Sequence, residues 1–156
     1  MQVISGASSY QYLLDTNILI YPNDPKDPVK NKRATELLNF LQSEKNAALP
    51  AQALAEFANV ALRKLIPPMD MSLIYLQIEG LIRDFPVLPL TKEIILEAFR
   101  GVRNYQFSYY DAQIWACAKF HQIPVILSED FNSRSVIGGV TFLNPFDSGF
   151  DLRSLV

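Results

Sequence analysis

The chain is almost without the side chains that zinc and nucleophile chemistry use. Its 156 residues include one cysteine, Cys117, and one histidine, His121. One of each cannot build a Cys/His zinc site, which takes three or four such ligands. A lone cysteine also excludes a disulfide within the chain, in keeping with a reducing compartment. Any Ser-His-Asp or Cys-His mechanism would have to run through His121. That residue closes the apolar stretch Trp115-Ala116-Cys117-Ala118-Lys119-Phe120-His121. A plainer expectation is a helix C-terminal histidine near the negative dipole end, with Cys117 as a small core residue. Glycine is scarce too, at 6 residues. There is no G-x-G-x-x-G and no P-loop, so cofactors held by such loops are not supported. Gly138-Gly139 lies between two short strand-like runs and reads as a turn. No apolar run approaches the roughly 20 residues of a membrane span. Met1 to Ser9 lacks the charged and apolar regions of a signal peptide, so the expected location is cytoplasmic. The formal net charge of -2 lacks the cationic excess of a general nucleic-acid binder.

What is present is a core. At 49% hydrophobic and 12% aromatic, the composition suits one folded domain and not a disordered chain. Short apolar runs alternate with helical patterns. Strands are expected at Tyr10 to Asp15, Ala47 to Leu49, Pro86 to Leu90, Ile123 to Leu127 and Val140 to Leu143. Between the first two strands, the proline- and aspartate-rich stretch Asn23 to Pro28 is expected as a loop. Helices are expected over Val29 to Ser43, Gln52 to Leu65, Asp70 to Asp84, Thr91 to Tyr105 and Ser108 to His121. Strands that are apolar throughout imply a sheet covered on both faces. The expectation is an α/β fold of about five short parallel strands flanked by helices on both faces. The organisation expected is an extension over 1–9, one domain over 10–148 and a tail over 149–156.

In such sheets ligands bind beyond the carboxyl ends of the strands. The first strand ends Leu13-Leu14-Asp15-Thr16-Asn17, and the strand near residue 125 ends Ile126-Leu127-Ser128-Glu129-Asp130. Glu56 shares a helix face with Ala53 and Val60, where an unpartnered carboxylate is costly. Asp111 opens an apolar helix after Ser108-Tyr109-Tyr110. Each acid has a plainer reading on its own. Asp15 is also suited to ending a strand or capping a helix, Glu56 to a solvated helix face, Asp111 to a capping box, and Asp130 or Glu129 to a loop. Together they are four acids on elements that a parallel sheet brings to one edge. Carboxylates held close repel one another unless a cation is present. Mg²⁺ and Mn²⁺ prefer oxygen ligands and support phosphate hydrolysis by activated water. Thr16, Asn17 and Ser128 are placed to orient the carboxylates.

These segments resemble the PIN-domain nucleases, and among them the VapC-like toxins of toxin–antitoxin pairs. The matching segments are Leu13-Leu14-Asp15-Thr16-Asn17-Ile18-Leu19-Ile20-Tyr21, Ala55-Glu56-Phe57-Ala58-Asn59-Val60, Phe107-Ser108-Tyr109-Tyr110-Asp111-Ala112 and Ile126-Leu127-Ser128-Glu129-Asp130-Phe131. The stretch Gly139 to Phe146 also looks like the end of these proteins. The resemblance implies a PIN-like three-layer sandwich and a ribonuclease dependent on Mg²⁺ or Mn²⁺. It implies Asp15, Glu56, Asp111 and Asp130 as catalytic, metal-holding acids, with Thr16, Asn17, Ser128 and Glu129 in support. It further implies an RNA substrate, a homodimer, and an antitoxin whose segment covers the apolar helices between Ile18 and Leu76. The chain departs from many relatives after Asp130, where Phe131 is followed by Asn132-Ser133-Arg134.

Arg100, Arg103, Arg134 and Tyr110 are candidate RNA contacts, as are Tyr109 and the cluster Lys30, Lys32 and Arg33. Two other readings fit less well. A phosphatase with an aspartyl nucleophile would carry a second Asp at position 17, which is Asn17. A silent receiver-like module would leave Glu56 and Asp111 unexplained. The charge has a further aspect. Setting the four acids aside leaves 12 acidic against 14 basic residues, a formal +2. The acidity is thus concentrated in the candidate site.

Overall fold

The computed structural model describes residues 10–155; the extension expected over 1–9 lies outside the described residues. Five strands run parallel. They are β1 (Tyr12–Leu14), β2 (Ala47–Pro50), β3 (Val87–Leu88), β4 (Val125–Leu127) and β6 (Val140–Leu143). A sixth, β5 (Val136–Ile137), pairs antiparallel with β6 at the sheet edge. The order is β3-β2-β1-β4-β6-β5. The two-residue β5 is joined to β6 by Gly138 and Gly139, both at positive φ (57° and 81°), the conformation that a tight hairpin needs and that glycine adopts without steric cost.

Among the described residues the α-helices are α1 (Thr16–Ile20), α2 (Pro28–Glu44), α3 (Ala51–Arg63), α4 (Met71–Asp84), α5 (Lys92–Tyr105) and α6 (Tyr109–Phe120). Their starts follow from local chemistry. The side chains of Asp27, Asp70, Thr91 and Ser108 each accept a backbone N–H at a helix start, satisfying donors that the first turn leaves open. The expected elements are present within a few residues of their expected ends. The short α1 and the pairing of β5 are additions.

Side chains alternate across the sheet. Tyr12 and Leu14 face a core with Ile18, Leu37, Phe57 and Ile74, so α1 to α4 cover that side. Leu13 and Ile126 face the other core with Ile94, Ala98 and Trp115, under α5 and α6. Three layers result, as expected. Trp115 is the largest buried side chain of its layer, and its indole N–H donates to the Ile137 carbonyl at 2.9 Å. Gly101 faces it so closely that an added Cβ would lie 2.8 Å from the ring. The chain end packs back: Phe150 and Leu152 touch the first core and Leu155 is buried in it. Cys117 is buried in the second core, and burial pushes its thiol up to about 12, which leaves it inert. His121 caps the C-terminus of α6, as expected. No helix among the described residues is long and apolar enough to cross a membrane.

Candidate active site

The register of the sheet builds the site. Leu14 pairs with Leu127 across β1 and β4, so the next residues, Asp15 and Ser128, leave the sheet side by side. Asp15 becomes the N-cap of α1. Its carboxylate accepts the Thr16 N–H at 2.7 Å and the Ser128 hydroxyl at 2.6 Å. Ser128, itself fully buried, also accepts the Asp130 N–H at 3.1 Å and one Asn17 amide proton at 3.4 Å. Asn17 donates to the Asp130 carboxylate at 3.2 Å. One hydroxyl thus links two of the acids.

From the neighbouring strand, β2 leads directly into α3, and Glu56 faces α1. Its carboxylate accepts the Thr16 hydroxyl at 2.7 Å and the Gln52 amide at 2.7 Å. Thr16 therefore ties Asp15 to Glu56, through its N–H to one and its hydroxyl to the other. Gln52 also reaches the Tyr110 carbonyl at 3.3 Å, which connects α3 to the start of α6. There Ser108 accepts the Asp111 N–H at 3.3 Å, so the capping pattern at this helix start is real. It engages only the backbone of Asp111 and leaves its carboxylate without a hydrogen-bond donor among the described residues.

The electrostatics are those of acids without a counterion. Burial lifts the Asp15 carboxyl to about 6; its bonds to Ser128 and Thr16 oppose this, and the charges of Asp130 and Asp111 add to it. Asp130 is raised by burial, held down by Asn17, and raised again by Asp111, Glu129 and Glu56. The four acids thus act on one another. Among the described residues, no three Asp, Glu, His or Cys side chains converge closely enough to hold a metal ion by themselves. The donor set is nonetheless all oxygen, and the buried Asn17 Oδ1 lacks a hydrogen-bond partner beside it. Mg²⁺ needs only one or two carboxylates, with water and phosphate completing its shell. The residues fit such an ion on those terms.

Other expected residues sit differently. Glu129 acts on Asp130 but, unlike the four acids, has a cation of its own. It pairs with Lys30 at 2.8 Å and accepts the Tyr21 hydroxyl. Arg100 pairs with Glu97, which also binds Lys119 at 2.8 Å. Lys119 lies eight residues beyond Asp111 in α6, on the order of 12 Å along the helix, so Arg100 belongs to the far end of that layer. The Arg103 guanidinium bonds Asn104 at 3.3 Å. Arg134 is exposed, with φ 68°. Tyr110 is 64% exposed beside Glu56 and Gln52. Sequence reasoning missed Gln52, and it placed Lys30 among candidate RNA contacts without its pairing to Glu129. Gln52 sits four residues before Glu56, a spacing at which helix side chains meet, so its role had a sequence signal.

A family model for the PIN domain matches residues 12–137. The chain belongs to the PIN-domain family. Solved structures share the fold of this PIN domain at low identity. A toxin–antitoxin complex from Klebsiella pneumoniae has a TM-score of 0.65 and 18% identity, covering 87% of this chain and 98% of that one. FitAB bound to an IR36 DNA fragment gives 0.64 and 22%, covering 87% and 96%. DNA-bound VapBC from Salmonella typhimurium gives 0.62 and 20%, covering 85% and 96%. No curated protein matches. In this PIN domain the acidic edge lies where the sheet and helices converge, at the carboxyl ends of β1, β2 and β4.

Proposed function

We propose that this PIN domain is a metal-dependent endoribonuclease, cytoplasmic and acting as the toxin of a toxin–antitoxin pair. The observation that carries the nuclease reading is the set of mutually repelling carboxylates around Asp15, tied together by Ser128 and Thr16 without a cation to balance them. Asp15, Asp111, Asp130 and Glu56 would hold Mg²⁺ or Mn²⁺. When bound, such an ion supplies positive charge against phosphate and lowers the pKa of an attacking water. The protein's own part is positional. Ser128 and the Thr16 N–H fix both oxygens of Asp15, while Thr16 and Gln52 fix those of Glu56. Asn17 holds Asp130, and Asp111 stays free to face the substrate side.

The toxin reading is supported by the toxin–antitoxin assemblies among the similar folds. It is supported also by apolar side chains on α4, where Met71, Tyr75 and Leu76 are more than 60% exposed. Such a patch suits an antitoxin segment or a second copy in a homodimer.

Purified protein should cleave RNA with added Mg²⁺ or Mn²⁺, and EDTA or Asp15→Asn should abolish cleavage. Equal cleavage without metal would sink the mechanism. Expression should arrest growth, with relief by Asp111→Asn. A small adjacent reading frame with a DNA-binding N-terminus distinguishes a toxin from a solitary nuclease.

A further inference from the structure

Beside Glu56, between α3 and the start of α6, opens a cavity of about 500 Å³, within the size range of small-ligand sites. Its wall includes Gln113, which is only 5% exposed and has no hydrogen-bond partner among the described residues. Its amide atoms are not sealed inside the protein, so the cavity is where this amide finds a partner. Asn59 lines the same cavity. It lies three residues after Glu56 on the same helix face, exposed, with its amide also unpartnered. Tyr110 and Lys64, both exposed, also line it.

We infer that this cavity is a nucleobase subsite that takes one unpaired base of a single-stranded RNA, with Gln113 and Asn59 hydrogen-bonding its edge and Tyr110 stacking on its face. The inference rests on the RNA-cleaving reading above and names which part of the substrate is read. Glu56 belongs both to the acidic edge and to the cavity wall, so a nucleotide whose phosphate lies at the acids carries its base to the cavity mouth. Amides offer a donor and an acceptor together, which is what a base edge presents. Single-stranded RNA exposes its bases to stacking on aromatic rings and to reading along their edges. Lys64 supplies a cation for an adjoining phosphate. An apolar anchor from a protein partner would leave Gln113 unsatisfied.

The test uses the full chain and a single-stranded RNA pool of randomised sequence, with cut ends mapped by sequencing. Binding of the same pool to the Asp15→Asn protein provides a readout independent of cleavage. The wild-type protein should prefer one base at a fixed position beside the cut. Gln113→Leu and Asn59→Ala should each flatten that preference by about tenfold, as expected for a lost edge contact. Tyr110→Ala should weaken binding of the whole pool by about fivefold or more. Asn59 is exposed, so its variant keeps the test valid if Gln113→Leu misfolds. Unchanged preference and affinity in Asn59→Ala and Tyr110→Ala, as expected if the cavity takes a protein side chain, would overturn the subsite. No cleavage by the wild-type protein would overturn the nuclease reading instead, and the binding arm would still decide the subsite.

Discussion

Two groups of acids in this molecule have opposite surroundings. Glu97 on α5 is bound by Lys119 at 2.8 Å and by Arg100, and those cations, Lys119 foremost, hold its carboxyl below the usual range. Glu129 is paired with Lys30 at 2.8 Å. Around Asp15 the neighbours are other acids, and the carboxyls of Asp15 and Asp130 are raised. The chain has basic residues enough to answer these acids too, 14 in all, yet among the described residues none forms an ion pair with Asp15, Glu56, Asp111 or Asp130. Carboxylates kept together without a counterion are held at a cost to stability, and an arrangement of that kind is a mark of function.

The contrast can be broken at the acidic edge first. Asp111→Asn removes the one carboxylate of the four with no hydrogen-bond donor, and should reduce RNA cleavage by more than about a thousandfold while leaving the fold intact. Single-turnover rates in Mg²⁺ would measure this. Ser128→Ala leaves Asp15 and the Asp130 N–H without their shared hydroxyl. Cleavage should fall about 10–100-fold, as for other residues that orient metal ligands, and urea unfolding should show a loss of about 1–3 kcal/mol.

A smaller effect lies in stability alone. Asp15 has its pKa raised on folding, from an ordinary 3.8 to about 6. The protonated form is therefore favoured by the fold. The contribution of this group to stability is full below the unfolded value and is lost as pH climbs through about 6. Metal-free Asp15→Asn should then be more stable than the wild type at neutral pH, by an amount on the order of 1–3 kcal/mol in urea unfolding. The difference should close towards pH 4. A gap that does not vary with pH would show that Asp15 carries no such strain. The smallest effect belongs to the compensated acid. Glu97→Gln should change stability by less than about 1 kcal/mol, because its partners are largely exposed, and should leave cleavage as it was.

Much of this was legible before the fold. Apolar strand runs and helix periodicity placed the layers, because burial on both faces leaves no other pattern for a parallel sheet. The acids were legible as a set because three of them stand at strand or helix ends. Two things were not. The five-residue α1 is too short for a periodic signal, and it exists because Asp15 caps it. The partners of Glu129 and Glu97 were half hidden. Arg100 stands three residues from Glu97, a readable helical spacing, but Lys30 lies 99 residues from Glu129 and meets it only through the sheet topology. The amides of Gln52 and Gln113 look ordinary in sequence; only their placement gives them meaning.

The packing of Trp115 has a practical consequence. It is the only tryptophan in the chain, 1% exposed, pressed by Gly101 and Gly138, with Lys119 5.0 Å from its ring. Its near-ultraviolet emission therefore comes from a single dry, asymmetric environment. Loosening of α5, α6 or the β5–β6 hairpin would shift that emission to the red, so the protein carries its own optical reporter of the helical layer that bears Asp111.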